Sequence, residues 1–140
     1  IKRVVALCQH VGIASVIEQL PSTYLSLLGE NGAMLSGGQK QRVSLARALA
    51  KNPMMLVLDD CLSAVDTHTE HKILTHLKKI MQDKTSLIIS HRVSSAKLAN
   101  RVFVLQDGLI VEQGKHAQLM RKKGLYYELY QQQLNEEQGL

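Results

Sequence analysis

Five consecutive apolar residues, Met54-Met55-Leu56-Val57-Leu58, stand between Pro53 and the acidic pair Asp59-Asp60. A run this short, bounded by turn formers, reads as a strand covered on both faces, as in a parallel sheet. A helix-patterned segment follows from Thr67 to Gln82, with Ile73, Leu77, Ile80 and Met81 inward, and Thr85 to Ile89 then reads as a second buried strand. Strand, helix, strand implies a parallel crossover. The 140 residues make about one domain's length, and 45% hydrophobic with 21% charged residues is the composition of a folded α/β protein.

The rest of the chain fits around this unit. Spacings near three and four predict two short helices over residues 1–20, broken at Gly12 and stopped by Pro21. Ser22 to Leu35 reads as a loop, and Gln39 to Ala50 as a helix with Val43, Ala46, Leu49 and Ala50 on its inner face, ended by Asn52-Pro53. Later, Ala96 to Ala99 reads as a short helix, and Asp107-Gly108 as the turn of a hairpin between Val102–Leu105 and Leu109–Glu112. His116–Arg121 and Leu125–Gln133 are predicted helices separated by Gly124.

Several functional classes are disfavoured. No apolar run approaches the eighteen or so residues of a membrane span. Cys8 and Cys61 form no CxxC pair, which argues against a zinc ribbon or a dithiol redox motif. The net charge of +5 permits a phosphate-bearing partner, but no Trp, one Phe and four Tyr leave few platforms for stacked bases, so no nucleic acid is expected. The start, Ile1-Lys2-Arg3-Val4, has no initiator Met or signal segment and reads as a cut end.

Three places carry candidate chemistry. Leu35-Ser36-Gly37-Gly38-Gln39 opens a predicted helix: Ser36 is a good N-cap, two glycines allow close backbone approach, and first-turn amides favour an anion. The same residues also suit an ordinary capped helix. Asp59-Asp60 sits at the carboxyl end of the first strand, where open α/β sheets place ligands. One carboxylate there can serve Mg²⁺ and the next an attacking water, or both can form a solvated turn. His91 follows the second strand and belongs to the same sheet edge in this reading, although a single His at a strand end also has structural uses. His68, Glu70, His71 and His76 share a helix without a zinc motif and read as a solvated face.

Taken together, Leu35-Ser36-Gly37-Gly38-Gln39-Lys40-Gln41-Arg42, Ala46-Arg47-Ala48-Leu49, Leu56-Val57-Leu58-Asp59, Ser63-Ala64-Val65-Asp66 and Ile89-Ser90-His91-Arg92 resemble the nucleotide-binding domain of ATP-binding cassette transporters in order and spacing. Gly29-Glu30-Asn31-Gly32 looks like the stretch before the family signature, and Gly124-Leu125-Tyr126 like an exporter tail. The resemblance implies a P-loop NTPase-type parallel sheet, with a helical signature-bearing subdomain at 1–50, part of the ATPase core at 51–114 and C-terminal helices at 115–140. It implies ATP and Mg²⁺ as cofactors. Ser36, Gly37, Gly38 and Gln39 would contact the γ-phosphate of ATP held by a second nucleotide-binding domain, and Asp66 would belong to the loop joining the two sites. Asp59 would be the Walker B carboxylate near Mg²⁺, with Asp60 and His91 catalytic, and Glu30 would lie in the region facing the transmembrane domains of an exporter. The implied location is the cytoplasmic face of the plasma or inner membrane.

Two departures qualify the resemblance. The family's GxxxxGK[ST] loop is absent: Gly114-Lys115 is the only Gly-Lys pair, with Leu109 and His116 at the positions that should be Gly and Ser or Thr. The chain is therefore expected to be the carboxyl-terminal part of a longer protein and inactive alone. Asp60 stands where competent members carry Glu, so a weakened site in one half of a heterodimeric exporter is expected. A soluble ABC-type ATPase of DNA repair or translation, or a non-hydrolytic interaction module, is the alternative.

Overall fold

A computed structural model describes residues 2–139. Contacts divide the chain into two units, Ile1–Ile89 and Ser90–Leu140. The first contains α1 (Lys2–His10), α2 (Ala14–Glu18), α3 (Gly37–Ala50), β1 (Met55–Asp59), α4 (Thr67–Ile80) and β2 (Thr85–Ile89). The segment read as a loop between α2 and α3 contains two single 3₁₀ turns, Thr23–Leu25 and Glu30–Gly32. Helix α1 packs on α3 and α4, and Val11, Ile13, Leu45, Leu49, Ile73 and Leu77 are buried.

Strands β1 and β2 pair in parallel, from Met55 opposite Thr85 to Asp59 opposite Ile89, with α4 in the crossover between them. The α/β reading is correct, but the expectation of strands covered on both faces is not. The pleat buries Leu56 and Leu58 while Met55 and Val57 are 56% and 53% exposed, as are Leu87 and Ile89 at 49% each. Side chains alternate along a strand, and cover among the described residues reaches one side of β1 only. The continuous apolar run records a demand for cover on both. On α4 the buried set is Glu70, Ile73, Leu74 and Leu77, the i, i+3, i+4, i+7 stripe. Ile80 and Met81, expected inward, are half-buried because the helix ends there.

The second unit holds α5 (Val93–Ala96), β3 (Val102–Gln106), β4 (Leu109–Gly114), α6 (His116–Lys122) and α7 (Leu125–Gln138). Helix α5 forms earlier than the predicted Ala96–Ala99, because Val93 is the residue that enters the core with Val102, Val104, Leu119 and Tyr126. The antiparallel hairpin turns at Asp107 (φ 51°) and Gly108 (φ 78°), both left-handed as a two-residue type I′ turn requires.

Glu112 on β4 is buried, and its carboxylate accepts from the Tyr126 amide at 2.9 Å, capping α7, with Lys122 Nζ at 3.5 Å. A Cβ on Gly124 would collide with this carboxylate and stand 2.8 Å from its carbon. Gly124→Ala is therefore expected to displace the cap and destabilise the fold by about 1–3 kcal/mol, the cost of leaving a buried polar group unmatched. Thermal unfolding of the variant against the unsubstituted protein checks it.

Candidate functional site

Helix α3 starts at Gly37 because Ser36 caps it reciprocally. Ser36 Oγ accepts from the Gln39 amide at 3.3 Å, and the Ser36 amide donates to Gln39 Oε1 at 2.8 Å. The Gln39 side chain, expected to face a nucleotide, is committed to this cap. The amides of Gly37 and Gly38 lie in the first turn and have no acceptor within the helix, so the end of α3 retains its attraction for an anion.

The α3 terminus lies against the loop that follows β1. A Cβ on Gly37 would stand 3.9 Å from the Ala64 Cβ, an ordinary contact, whereas one on Gly38 would collide with the Ala64 carbonyl oxygen. Gly38 is thus demanded by packing. Gln41 fastens the same junction: its Nε2 donates to Ser63 Oγ at 2.8 Å and its Oε1 accepts from the Ala64 amide at 2.9 Å. Ser63 Oγ in turn donates to the Asp60 carbonyl at 3.1 Å. Gln41 lies within the motif, but nothing in its sequence position signals this role. Arg42 donates from Nε to the Gly38 carbonyl at 3.2 Å and from Nη1 to the Gly12 carbonyl.

Asp66 caps α4, its Oδ1 accepting from the Thr69 amide at 2.9 Å. That bond and a side-chain bond with Thr69 hold its carboxyl below the usual aspartate range, and Arg42 adds to the effect. The cap is present at every pH above the ordinary aspartate value and is lost only as pH falls through the lowered one.

Asp59 is the exposed last residue of β1. Asp60 follows in a left-handed conformation (φ 45°), which Asp tolerates better than most residues, and its amide donates to the Ile89 carbonyl at 2.8 Å. Both acids line an open cleft of about 400 Å³, together with Lys40, Gln41, Ser44 and Cys61. The Cys61 thiol is pushed up to about 11 by burial, with the Asp60 and Glu70 charges adding. Iodoacetamide at pH 8 should therefore modify Cys61 roughly tenfold or more slowly in the folded protein than in urea, since the thiolate is the nucleophile; peptide mass spectrometry reads the rate.

Ser36 to Gln39, Asp59, Asp60 and Asp66 all fall in the first unit, and Asp60 is linked to α3 through Ser63 and Gln41. His91 is the second residue of the second unit, exposed, two residues beyond β2. Gly114 ends β4, and the Lys115 amide donates to Gln118 Oε1 at 2.9 Å, so this pair begins α6. His76 stacks on His10 at 4.7 Å, and Glu70 is buried. These residues fit part of a MgATP site: a glycine-bearing helix terminus for phosphate oxygens and a strand-end carboxylate for Mg²⁺ or its waters.

Known proteins are similar to this chain. A family model described as ABC transporter matches residues 7–63. The chain is 46% identical over 123 residues to the ATP-dependent lipid A-core flippase of Alcanivorax borkumensis, covering 88% of this chain and 21% of that protein. Over 135 residues it is 44% identical to the leukotoxin export ATP-binding protein LtxB of Aggregatibacter actinomycetemcomitans, covering 96% of this chain and 19% of that one. The solved structure of a bacterial Atm1-family ABC exporter with ATP bound superposes with a TM-score of 0.86 at 41% identity, over 95% of this chain and 24% of that chain. The chain belongs to the ABC transporter family. It spans about a fifth of the length of the curated relatives it matches, and its α/β unit is that of an ABC exporter's ATP-binding domain. No helix among the described residues is long and apolar enough to cross a membrane.

Proposed function

We propose that the chain acts within an ABC exporter as part of an ATP-hydrolysing domain, coupling ATP binding and hydrolysis to export across a membrane. The observation that carries this reading is the junction of α3 with the loop after β1. Ser36, Gly37 and Gly38 present a helix terminus, Gln41 ties that helix to Ser63 and Ala64, and the same loop begins at Asp59-Asp60. In this reading MgATP supplies the phosphoanhydride to be cleaved. Asp59 holds Mg²⁺ or its waters, Asp60 orients the attacking water, and His91 contacts the terminal phosphate. Ser36 to Gln39 face the ATP of a second nucleotide-binding domain, and Asp66 shapes the loop between the two sites.

Asp60 is one methylene shorter than Glu, which makes this subunit's own site slow while its signature face completes the partner's. The partner domain is accordingly a different subunit. Leu25 and Leu27, 81% and 92% exposed in the loop that also holds Glu30, offer an apolar and acidic surface suited to transmembrane domains. The domain would work at the cytoplasmic face of the membrane. An antibody to this segment tests the reading on separated membrane and soluble extracts. A membrane-bound polypeptide several times 15.6 kDa is expected; a soluble species of that mass would favour an interaction module.

A further inference from the structure

The carboxamide of Gln133 on α7, 42 residues beyond His91, holds both sides of the segment that carries His91. Its Nε2 donates to the His91 carbonyl at 2.6 Å, and its Oε1 accepts from the Val93 amide at 2.8 Å. The two bonds use both ends of one amide plane and fix the peptide units on either side of Arg92. Upstream, Ser90 Oγ accepts from the Arg92 amide at 3.0 Å, so the turn is fastened from within the segment and from α7. Val93 is buried beside Val102, Val104, Leu119 and Tyr126, which anchors the downstream end of the segment. The His91 side chain is exposed, and its imidazole leaves the surface from the backbone that these bonds hold. A glutamine with one bond to each of two backbone groups two residues apart acts as a template for that backbone.

We infer that Gln133 on α7 is a positioning residue for His91, fixing the backbone from which the imidazole reaches the terminal phosphate of ATP. The inference rests on the proposed role of His91 and adds to it a dependence on the C-terminal helix. Loss of the template lets the 91–93 segment adopt other turns, and a histidine that recognises only the terminal phosphate then loses its advantage for ATP over ADP. Gln133→Glu removes the donor to the His91 carbonyl, sets a carboxylate oxygen against it, and keeps the acceptor for Val93.

The test uses the full-length protein with its partner subunit, photolabelled with 8-azido-ATP and displaced by ATP or ADP, with labelling of this subunit read on a gel. His91→Ala, Gln133→Ala and Gln133→Glu are each expected to lower the ATP-over-ADP preference about threefold to tenfold, the worth of roughly one hydrogen bond. ADP affinity should stay unchanged, which a general loss of structure would not produce. Adding either Gln133 substitution to His91→Ala should cost nothing more. If the Gln133 variants keep the preference, or the double variants lose more than His91→Ala alone, Gln133 does not act through His91 and the inference falls while the role of His91 stands. If His91→Ala itself keeps the preference, the role of His91 falls and the positioning role with it.

Discussion

Asp60→Glu is expected to raise ATP hydrolysis at this subunit's site on the order of a hundredfold in the full-length protein, because the carboxylate moves forward by roughly 1–1.5 Å. The backbone at this position is held on both sides: its amide donates to Ile89 at the end of β2, and its carbonyl accepts from Ser63, which Gln41 engages. The longer side chain therefore extends from a fixed origin instead of dragging the loop with it. Glu is less at ease than Asp in the left-handed conformation that position 60 adopts, so a loss of about 1 kcal/mol or less should accompany the gain. Steady-state phosphate release and thermal unfolding measured together read both effects. A stable variant with unchanged hydrolysis would contradict the idea that the missing methylene slows the site.

Gly38→Ala should act in the opposite direction and as strongly. Its methyl would meet the Ala64 carbonyl oxygen and stand 3.2 Å from the carbonyl carbon, in a loop held by Gln41 at the Ala64 amide and by the bond from the Val65 amide to the Leu62 carbonyl at 3.0 Å. The α3 terminus or the loop after β1 must shift, and a displacement near 1 Å is expected to lower the partner site's turnover on the order of a hundredfold. Gly37→Ala separates packing from chemistry, since its methyl would find only ordinary contact with Ala64. That variant should melt close to the wild type yet lose activity, because the methyl sits beside the amides offered to phosphate. Full turnover in a well-folded Gly37→Ala protein would contradict the placement of this face against ATP.

What was legible in the sequence was what local chemistry decides. Ser36 announces a helix N-cap, Asp107-Gly108 a tight hairpin, and the run ending at Leu58 a strand, and each forms where its residues direct it. Strand cover was not legible, because an apolar run states that two faces seek burial and cannot state which element supplies it. The demand made on Gly38 was equally hidden, arising from a carbonyl twenty-six residues away. Gln41 and Gln133 look like solvent-facing glutamines on helices, and only the fold brings their amides to distant backbone and hydroxyl groups. Asp66 carried only its implied role between sites, and its capping bond to Thr69 adds a local one.

Vanadate trapping of 8-azido-ADP under hydrolysis conditions, in the full-length protein assembled with its partner subunit, tests the account most directly. Trapped label marks the site that turns over. The account predicts label on the partner subunit, its loss when Gly37 of this chain becomes Ala, and label on this subunit only after Asp60→Glu. Equal trapping on both subunits of the unmodified protein, or trapping on the partner that survives Gly37→Ala, would contradict it.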